Sequence, residues 1–366
     1  MKILALTKYS YEGPSSRYRF YNYKDFFEKN HIKVEIKPLF NKSYFESKNK
    51  LEKIFIVLKS YFLRIFIILN ILLLKKKYDL ILLEYELLPY FPSFFEKLFN
   101  LRGIKYIVDY DDAIFHKYDM NKNPIIKFLL KNKISNVIKN ATYCIACNEY
   151  LENYIREYNQ DILRLPTVVL LDKYIKEKEL YKKEAKDKFI IGWIGSKSTS
   201  IYILNLLDIF KELISKYPNI QFNLIGFDKN LLSESEIKNH NINIITWKEE
   251  NEIKNILEFD IGIMPLTNDP WSKGKCGFKL IQYMSCQKVV IASPVGINNC
   301  IVKDDINGYL ANTNIQWQDG IEKLYLDEDK KKFMEKNNFE KVFESFNYEK
   351  NCDSYLKLIK KVISAL

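Results

Sequence analysis

Two lysines and a glycine lie around the start of an apolar helical segment at residues 274–290, GKCGFKLIQYMSCQKVV. Gly277 and Phe278 open the segment, and Lys275 and Lys279 lie on either side of them. A helix N-terminus offers free backbone N–H groups and the positive end of the helix dipole. Glycine also lets a ligand approach the backbone closely. This spacing predicts a binding site for a phosphate or diphosphate group.

A second anion site is predicted at residues 191–200, IGWIGSKSTS, where an apolar strand leads into a helix. Gly195 allows close backbone approach, and Ser196 and Lys197 follow it at the start of the helix. The sequence is neither the GxGxxG pattern of dinucleotide-binding proteins nor a P-loop. An ordinary strand-to-helix turn with Ser198 as the N-cap fits the same residues.

Three carboxylates follow another strand at residues 109–118, DYDDAIFHKY. Asp109 and Asp111 form a D-x-D, a pattern whose hard oxygens can bind a divalent cation. Asp111 and Asp112 lie where ligands bind in open parallel sheets, beyond the carboxyl end of a strand. Helix capping is the alternative role for both. His116 is a further candidate to line this site.

The loop after the first strand, YEGPSSRYRF, is the third candidate strand end. Gly13 shapes a turn there, and Ser15, Ser16 and Arg17 would present hydroxyl groups and a planar cation to a ligand. A plain loop in which Ser16 caps a helix is the alternative.

The elements that must position these residues alternate between apolar runs and helix-length amphipathic segments, the pattern of parallel sheets with crossover helices. The predicted strands are KILALT, KVEIKPL, DLILLEY, KYIVDY, TYCIAC and ILRLP in the first half, and FIIGWIG, IQFNLIG, INIITW, DIGIMPL and KVVIASP in the second. We therefore predict an α/β protein with two Rossmann-like, doubly wound domains facing a cleft.

The domain boundaries follow from where this pattern is interrupted. We predict an N-terminal domain at residues 1–171, a highly charged linker at residues 172–188 and a C-terminal domain at residues 189–347. The last helix, at about residues 348–366, has no strand after it and is expected to pack back on the N-terminal domain.

Composition limits the partners. The net charge of +11 and the pI near 9.0 favour anionic ligands. No nucleic-acid-binding module is recognisable, so we predict no nucleic-acid partner.

The CxxC at Cys144 and Cys147 has no second ligand pair nearby and the chain has three histidines, so no metal site is predicted. The N-terminal MKILALTKYS is typical of a first strand, not of a signal peptide, and predicts a cytoplasmic protein.

Residues 51–77 combine an apolar helical pattern with a basic side. The residues on this basic side are Lys53, Lys59, Arg64 and Lys75. The longest uncharged stretch, from Ile65 to Leu74, is shorter than the roughly 20 residues that a spanning helix needs. Two interpretations stay open: a crossover helix packed on the first sheet, or a helix whose basic edge contacts an anionic membrane at the inner face of the cell membrane.

The stretch FKLIQYMSCQKVVIASPVG, together with GPSSRYR, DYDDAIF and IGWIGS, resembles the family 4 glycosyltransferases of two-domain GT-B fold over most of the chain. The resemblance implies transfer of a sugar, with retention of configuration, from a UDP- or GDP-sugar donor. It implies no metal and no other cofactor. A glycan or lipid-linked acceptor in bacterial surface polysaccharide biosynthesis is the expected substrate.

The resemblance also assigns roles to residues around the anion sites. Family members commonly carry a glutamate, seven further residues and a second glutamate that contacts the donor ribose; Gly274 and Gln282 occupy these two places here. Gln282 can still bond a ribose hydroxyl, and Asp269 is the candidate substitute for the first glutamate. Lys275 and Lys279 would neutralise the donor diphosphate.

The predicted catalytic residues are Asp111, Asp112 and Lys279. The resemblance implies that the strand end before Asp111 and Asp112 faces the sugar and that Lys279 neutralises the donor diphosphate. The predicted donor-binding residues are Gly195, Ser196, Lys197, Lys275, Gly277, Phe278, Lys279 and Gln282. The predicted acceptor-side residues are Gly13, Ser15, Ser16, Arg17 and His116.

Two alternatives remain at the level of sequence. The missing pair of glutamates suggests a non-catalytic subunit that binds a nucleotide sugar within a glycan assembly complex. The D-x-D of Asp109 and Asp111 suggests a metal-dependent transferase resembling the GT-A fold.

Overall fold

The computed structural model describes residues 1–47, 49–74, 77–181 and 187–364. The strands of these residues form two six-stranded sheets in which every pairing is parallel. The strands are β1 (Lys2–Tyr9), β2 (Lys33–Phe40), β3 (Leu80–Glu84), β4 (Tyr106–Tyr110), β5 (Tyr143–Ala146), β6 (Ile162–Arg164), β7 (Phe189–Ile194), β8 (Ile220–Ile225), β9 (Ile242–Ile245), β10 (Ile261–Met264), β11 (Val289–Ala292) and β12 (Gly308–Leu310).

Helices connect the strands in both sheets. The α-helices are α1 (Pro14–Arg19), α2 (Lys24–Lys29), α3 (Lys42–Glu46), α4 (Lys50–Leu73), α5 (Phe94–Leu101), α6 (His116–Asp119), α7 (Pro124–Leu130), α8 (Lys133–Asn140), α9 (Glu149–Arg156), α10 (Leu171–Leu180), α11 (Ile201–Leu204), α12 (Leu207–Lys216), α13 (Glu234–Asn239), α14 (Glu252–Leu257), α15 (Pro270–Lys273), α16 (Phe278–Ser285), α17 (Asn298–Ile301), α18 (Asn314–Leu326), α19 (Glu328–Lys341) and α20 (Tyr348–Ser364). Short 3₁₀ helices lie at Tyr21–Tyr23, Lys197–Thr199, Lys229–Leu231 and Glu249–Asn251, and a π-helix lies at Val342–Phe346.

The first compact unit comprises Met1–Thr167, Gly274–Cys276 and Asn351–Leu366. Its sheet has the order β2-β1-β3-β4-β5-β6, and every residue of β3 and β4 is buried, as expected for parallel strands covered on both faces. The strand order reverses between β1 and β3, so the carboxyl ends of these two strands form the switch point where ligands bind in such sheets.

The C-terminal helix α20 packs within this unit through aromatic contacts. The ring of Tyr355 lies 5.1 Å, centroid to centroid, from both Tyr23 and Phe27. The Lys105 ammonium donates to the Val362 carbonyl over 2.9 Å.

The second compact unit comprises Val168–Lys273 and Gly277–Lys350. Its sheet has the order β12-β11-β10-β7-β8-β9, which places the switch point at the carboxyl ends of β7 and β10. Alternate residues of β7 enter separate hydrophobic clusters, with Ile191 and Trp193 in one and Ile190 and Ile194 in the other, so helices cover both faces. The predicted α/β fold with two doubly wound parallel sheets is confirmed.

Two features differ from the sequence predictions. The charged segment predicted as a linker at residues 172–188 is helical up to Leu180, because Leu171 and Tyr174 of α10 are buried in the second unit; residues 182–186 lie outside the described part of the chain. In addition, the short segment Gly274–Cys276 belongs to the first unit, although it lies within the predicted C-terminal domain.

The apolar segment predicted at residues 51–77 forms α4. Arg64 does not contribute to an exposed basic edge: it is buried, and its Nη2 donates to the carbonyls of Thr7 and Lys37 over 2.7 and 3.0 Å. The carbonyl oxygens of these two strand residues have lone pairs that accept hydrogen bonds from the guanidinium N–H groups. Lys75 lies outside the described residues.

Candidate functional site

The carboxyl ends of β1 and β3 meet around a buried carboxylate that the sequence analysis missed. Glu84 is 2% exposed, and its Oε2 accepts from the backbone N–H of Lys8 over 2.7 Å and from Ser16 Oγ over 2.6 Å. Its Oε1 has no hydrogen-bond partner among the described residues. Burial raises the pKa of Glu84 to about 7, although both hydrogen bonds favour the ionised form. A strand end therefore carries a carboxyl group that exchanges a proton near neutral pH.

The turn after β1 supplies a hydrogen bond to Glu84 through Ser16, and its side chains Ser16 and Arg17 are buried. Ser16 is buried and also accepts from the backbone N–H of Tyr9 over 3.1 Å. Gly13, not Ser16, is the N-cap of α1, and Ser15 is half-buried. Arg17 is buried, with its guanidinium 5.5 Å from the ring centroid of Tyr11. Ser16 and Arg17 were predicted to face a ligand; internal hydrogen bonds and ring contacts hold them inside the unit instead.

Asp109 is a structural residue, which removes one half of the predicted D-x-D. Both of its oxygens accept from Arg19, with Nε–Oδ1 at 3.1 Å and Nη2–Oδ2 at 3.0 Å, and both side chains are buried. Arg19 also donates to the carbonyls of Leu165 and Pro166, each over 2.9 Å. This bidentate pair ties β4 to α1 and to the chain after β6.

Asp111 and Asp112, beyond the end of β4, have separate partners. Asp111 accepts from the Tyr85 hydroxyl, and Asp112 Oδ1 lies 3.0 Å from Lys275 Nζ. Burial raises the pKa of Asp112, and the Lys275 ammonium opposes the shift. The structure thus brings together two residues, Asp112 and Lys275, that the sequence placed at different sites.

Asn148 fixes the segment that carries Lys275. Its Oδ1 caps α9 by accepting from Leu151 N, while its Nδ2 donates to the carbonyls of Gly274 and Lys275 over 3.1 and 3.0 Å. A side chain at Gly274 does not fit, because its Cβ would lie 2.4 Å from the Cβ of Ala113. Close packing therefore explains why a glycine stands where the resemblance expects a glutamate.

His116 is engaged through both ring nitrogens. Nδ1 lies 3.0 Å from Asp119 Oδ1, and Nε2 lies 2.8 Å from the hydroxyl of Tyr150 on α9. The ring also contacts Phe115 at 4.4 Å between centroids. These contacts make His116 a link between α6 and α9, and its predicted acceptor-side role stays a prediction.

A second group of buried charges near the end of β3 was also missed. Glu86 forms an ion pair with Lys133, and the Tyr118 hydroxyl donates to Glu86 over 2.8 Å. Lys117 lies in the same region, and burial and the charge of Lys8 lower its pKa to about 8. The sequence LLEYELL could have revealed both carboxylates, because Glu84 and Glu86 come at the end of an apolar run.

In the second unit, Lys279 and Gly195 both lie against Trp193. Lys279 Nζ is 4.5 Å from the centroid of the buried Trp193 ring, and a Cβ at Gly195 would lie 2.2 Å from the same ring. The two anion sites predicted from distant stretches of sequence therefore meet at the switch point of β7 and β10. The hydrogen bond from Ile194 N to the Tyr283 hydroxyl, 2.9 Å long, fixes α16 against β7.

The start of α16 is shaped by a left-handed glycine. Gly277 is the N-cap with φ of 68°, and Phe278 and Lys279 begin the helix. A glycine at the N-cap supplies no side-chain oxygen to the start of α16, which suits an anion site. Ser196 is the N-cap of the 3₁₀ helix Lys197–Thr199, whereas the alternative interpretation of this turn had Ser198 as the cap.

Two predicted donor contacts are occupied internally. Gln282 is 4% exposed, and its Nε2 donates to Glu252 Oε1 over 2.8 Å. Asp269 accepts from the backbone N–H and the hydroxyl of Ser272 over 2.9 and 3.0 Å, and so caps α15. The role of Asp269 as the substitute carboxylate stays a prediction. Glu252, which the sequence analysis did not single out, supplies a buried carboxylate beside Gln282.

Residues 176–341, within which Trp193, Gly195 and Lys279 lie, match the family model for glycosyl transferases group 1. A curated relative, the uncharacterized glycosyltransferase MJ1069 of Methanocaldococcus jannaschii, is 25% identical over 259 residues. The match covers 66% of this chain and 64% of MJ1069, which is less than two thirds of that protein.

Solved glycosyltransferase structures share the fold. Sucrose-phosphate synthase from Thermosynechococcus elongatus matches at a TM-score of 0.73 with 16% identity, covering 100% of both chains. A glycosyltransferase from Rickettsia africae matches at 0.70 with 16% identity, covering 99% of this chain and 98% of that one. Anabaena HepE, solved with UDP and glucose, matches at 0.68 with 13% identity, covering 98% and 99%. The fold is GT-B, and the group 1 domain indicates a transferase.

Proposed function

We propose that this protein is a retaining, metal-independent glycosyltransferase of family 4. It acts in the cytoplasm and moves a sugar from a nucleotide-sugar donor to a glycan or lipid-linked acceptor of a bacterial surface polysaccharide. The observation that carries the proposal is the group 1 domain at residues 176–341, whose switch point brings together Gly195, Trp193 and Lys279. UDP as the nucleotide is supported by the related Anabaena HepE, solved with UDP, with UDP and glucose, and with UDP-glucose.

The donor diphosphate is assigned to the start of α16. When the sugar's C1–O bond breaks, its electron pair leaves with the diphosphate and negative charge builds on the β-phosphate. The positive end of the α16 dipole, which begins after Gly277, and the Lys279 ammonium stabilise that charge. The face of Trp193 holds the ammonium beneath Gly195 through a cation–π contact.

Retention follows from attack on the face that the diphosphate leaves. The acceptor oxygen forms the new bond to C1, and its proton passes to an oxygen of the departing diphosphate, so no protein nucleophile is needed. On the first unit, the carboxyl end of β4 carries Asp111 and Asp112, to which we assign roles toward the sugar and the acceptor.

A second candidate function, a non-catalytic nucleotide-sugar-binding subunit, is favoured by two specific positions. Gly274 cannot carry a side chain beside Ala113, and the amide of Gln282 is bonded to Glu252. The third candidate, a GT-A-like transferase that binds metal through Asp109 and Asp111, is wrong, since the fold is GT-B and Asp109 is bound by Arg19.

A nucleotide-sugar panel tests the proposal. Purified protein is incubated with UDP- and GDP-sugars, with and without a chelator, and both binding and release of nucleoside diphosphate are measured. We expect chelator-resistant release from one donor, reduced roughly 10²- to 10³-fold by Lys279→Ala, the usual effect of removing one transition-state charge contact. Lys273→Ala, an exposed lysine of the same unit, is the matched control and should leave release unchanged.

Two other outcomes would replace the proposal. Tight donor binding without release, even with membrane extract as a source of acceptor, would establish the non-catalytic subunit. Release that stops in chelator would overturn metal independence.

A further inference from the structure

The outward face of α4 carries a continuous stripe of large apolar side chains. The α4 stripe consists of residues that are 46% to 78% exposed: Leu51, Phe55, Leu58, Phe62, Phe66, Leu69 and Leu73. Their spacing of three or four residues keeps them within an arc of roughly 80° over a length of roughly 33 Å. Exposed apolar surface of this extent normally marks an interaction site.

The opposite face of α4 fixes the helix to the first sheet. Ile68, Ile71 and Leu72 are buried there, and the guanidinium of Arg64 donates to the carbonyls of Thr7 and Lys37. Among the described residues, α4 is the helix that is long and apolar enough to cross a membrane, with a mean hydropathy of 2.1. A spanning orientation would strip Arg64 from its carbonyl partners and place its charge in hydrocarbon, which is costly. The α4 stripe is therefore suited to lie on a surface.

Basic residues border the α4 stripe at both ends. Lys50 at the start of the helix, Lys59 within it and Lys77 after it are exposed, and Glu52 is the single acidic residue from 50 to 77. A groove of about 220 Å³ beside the stripe has an apolar lining, to which two lysines contribute their hydrocarbon stems. Its lining residues are Lys50, Lys53, Ile54, Val57 and Leu58. Apolar surface bordered by lysines complements acyl chains beneath anionic headgroups.

The apolar surface extends from α4 to the loop that follows β3. The Tyr61 hydroxyl donates to the carbonyl of Pro89 over 2.8 Å, and the same loop exposes Tyr90 and, at the start of α5, Phe94. Tyrosine and phenylalanine at the border of an apolar patch are typical of the membrane interface.

We propose that the α4 stripe docks the protein on the surface of an anionic phospholipid membrane, with the apolar side chains at the acyl boundary and the lysines at the headgroup phosphates. A second copy of the chain is the less suitable occupant. Pairing two stripes would bring the exposed Lys50 and Lys59 of both copies into one interface, with only Glu52 of each copy to offset their repulsion. The inference rests on α4 and its neighbours and does not depend on the proposed sugar transfer.

Vesicle flotation of the full chain tests this proposal without sugar turnover. Phosphatidylcholine vesicles with and without phosphatidylglycerol are compared. We expect flotation with the anionic vesicles, and a roughly hundredfold loss of affinity in Phe55→Ser/Phe62→Ser, since each ring contributes about tenfold when buried. Lys50→Glu/Lys59→Glu should weaken anionic-vesicle binding by at least roughly fivefold for each lysine.

The matched control is Phe333→Ser/Phe343→Ser, which removes two exposed phenylalanines of the second unit and should float like the wild type. The stripe side chains are exposed, so circular dichroism and Tm should not change in any variant. The proposal is overturned if the wild type does not float with anionic vesicles, or if the stripe variant floats equally well. It is also overturned if sedimentation without vesicles shows a dimer that Phe55→Ser/Phe62→Ser converts to a monomer, because a second copy would then cover the stripe.

Discussion

The ammonium of Lys279 lies 4.5 Å from the centroid of the Trp193 ring, and the same ring packs under Gly195. One buried indole thus joins the start of α16 to the end of β7, the two strand ends at which the sequence predicted anion binding. The contact keeps a long, flexible lysine side chain in one place and reduces the entropy lost when a ligand binds.

Trp193→Phe should weaken donor binding while keeping an aromatic face. A cation–π contact is worth about 0.5–2 kcal/mol, so Trp193→Leu, which removes the aromatic face altogether, should raise donor Kd between roughly twofold and thirtyfold. Trp193→Phe should raise Kd by less, because phenylalanine keeps a smaller aromatic face. Titration calorimetry with the active nucleotide gives both values, and Tm reports the packing loss separately. Equal Kd values for the two variants would show that the ring acts through packing alone.

Gly277→Ala should destabilise the protein more than Gly103→Ala. Both glycines have a left-handed φ, 68° and 66°, so alanine costs about 1 kcal/mol in backbone strain at either place. At Gly277 the new Cβ would also lie 2.4 Å from Ile301 Cδ1, whereas nothing lies within 4 Å at Gly103. Urea unfolding should therefore show the larger loss at Gly277, accompanied by weaker nucleotide binding. A loss no greater than that of Gly103→Ala would mean that Ile301 moves aside freely.

The fold was predictable from sequence because each strand is an apolar run that parallel sheets bury on both faces. LILLE and YIVDY, for example, are buried at every position. The polar ends of those strands were harder to interpret. Glu84 was missed because it is the last residue of an apolar strand, and its importance depends on Ser16, which is 68 residues away.

The internal contacts at the donor side were hidden from the sequence for the same reason. Gln282 and Asp269 have the correct residue types to bind a sugar nucleotide, and their sequence neighbours do not reveal that Glu252 and Ser272 already occupy them. Hydrogen-bond partners brought together by the fold decide whether a polar group is available, and no local pattern encodes them.

Asp109→Asn and Asp112→Asn should separate structural from functional carboxylates at the same strand end. Removing the charge of Asp109 leaves Arg19 buried without its counter-ion, which costs about 3–5 kcal/mol. Asp112 and Lys275 are each partly exposed, so their ion pair contributes about 1 kcal/mol or less. We expect a large fall in Tm for Asp109→Asn, and for Asp112→Asn a nearly unchanged Tm with reduced release of nucleoside diphosphate. A stable, active Asp109→Asn protein would contradict the assignment.

Glu84 should make the first unit less stable as the pH rises from about 4.5 to about 7. Burial raises its pKa from 4.5 to about 7, so in this range the folded state holds a proton that the unfolded state releases, and stability falls with increasing pH. Asp109, whose pKa burial raises to about 6, contributes in the same direction. Above pH 7 both states are ionised at Glu84 and its effect is constant.

Glu84→Gln isolates this contribution, because glutamine keeps an oxygen that accepts from Lys8 N and Ser16 Oγ but does not titrate. The variant should have nearly the same Tm as the wild type at pH 5 and a higher Tm at pH 8, by roughly 5 °C for a free-energy difference on the order of 2 kcal/mol. Thermal unfolding monitored by circular dichroism across this pH range gives the difference. If the gap in Tm between the two proteins is independent of pH, the buried carboxylate at the β1 and β3 ends is ionised throughout, and the proton we assign to it is absent.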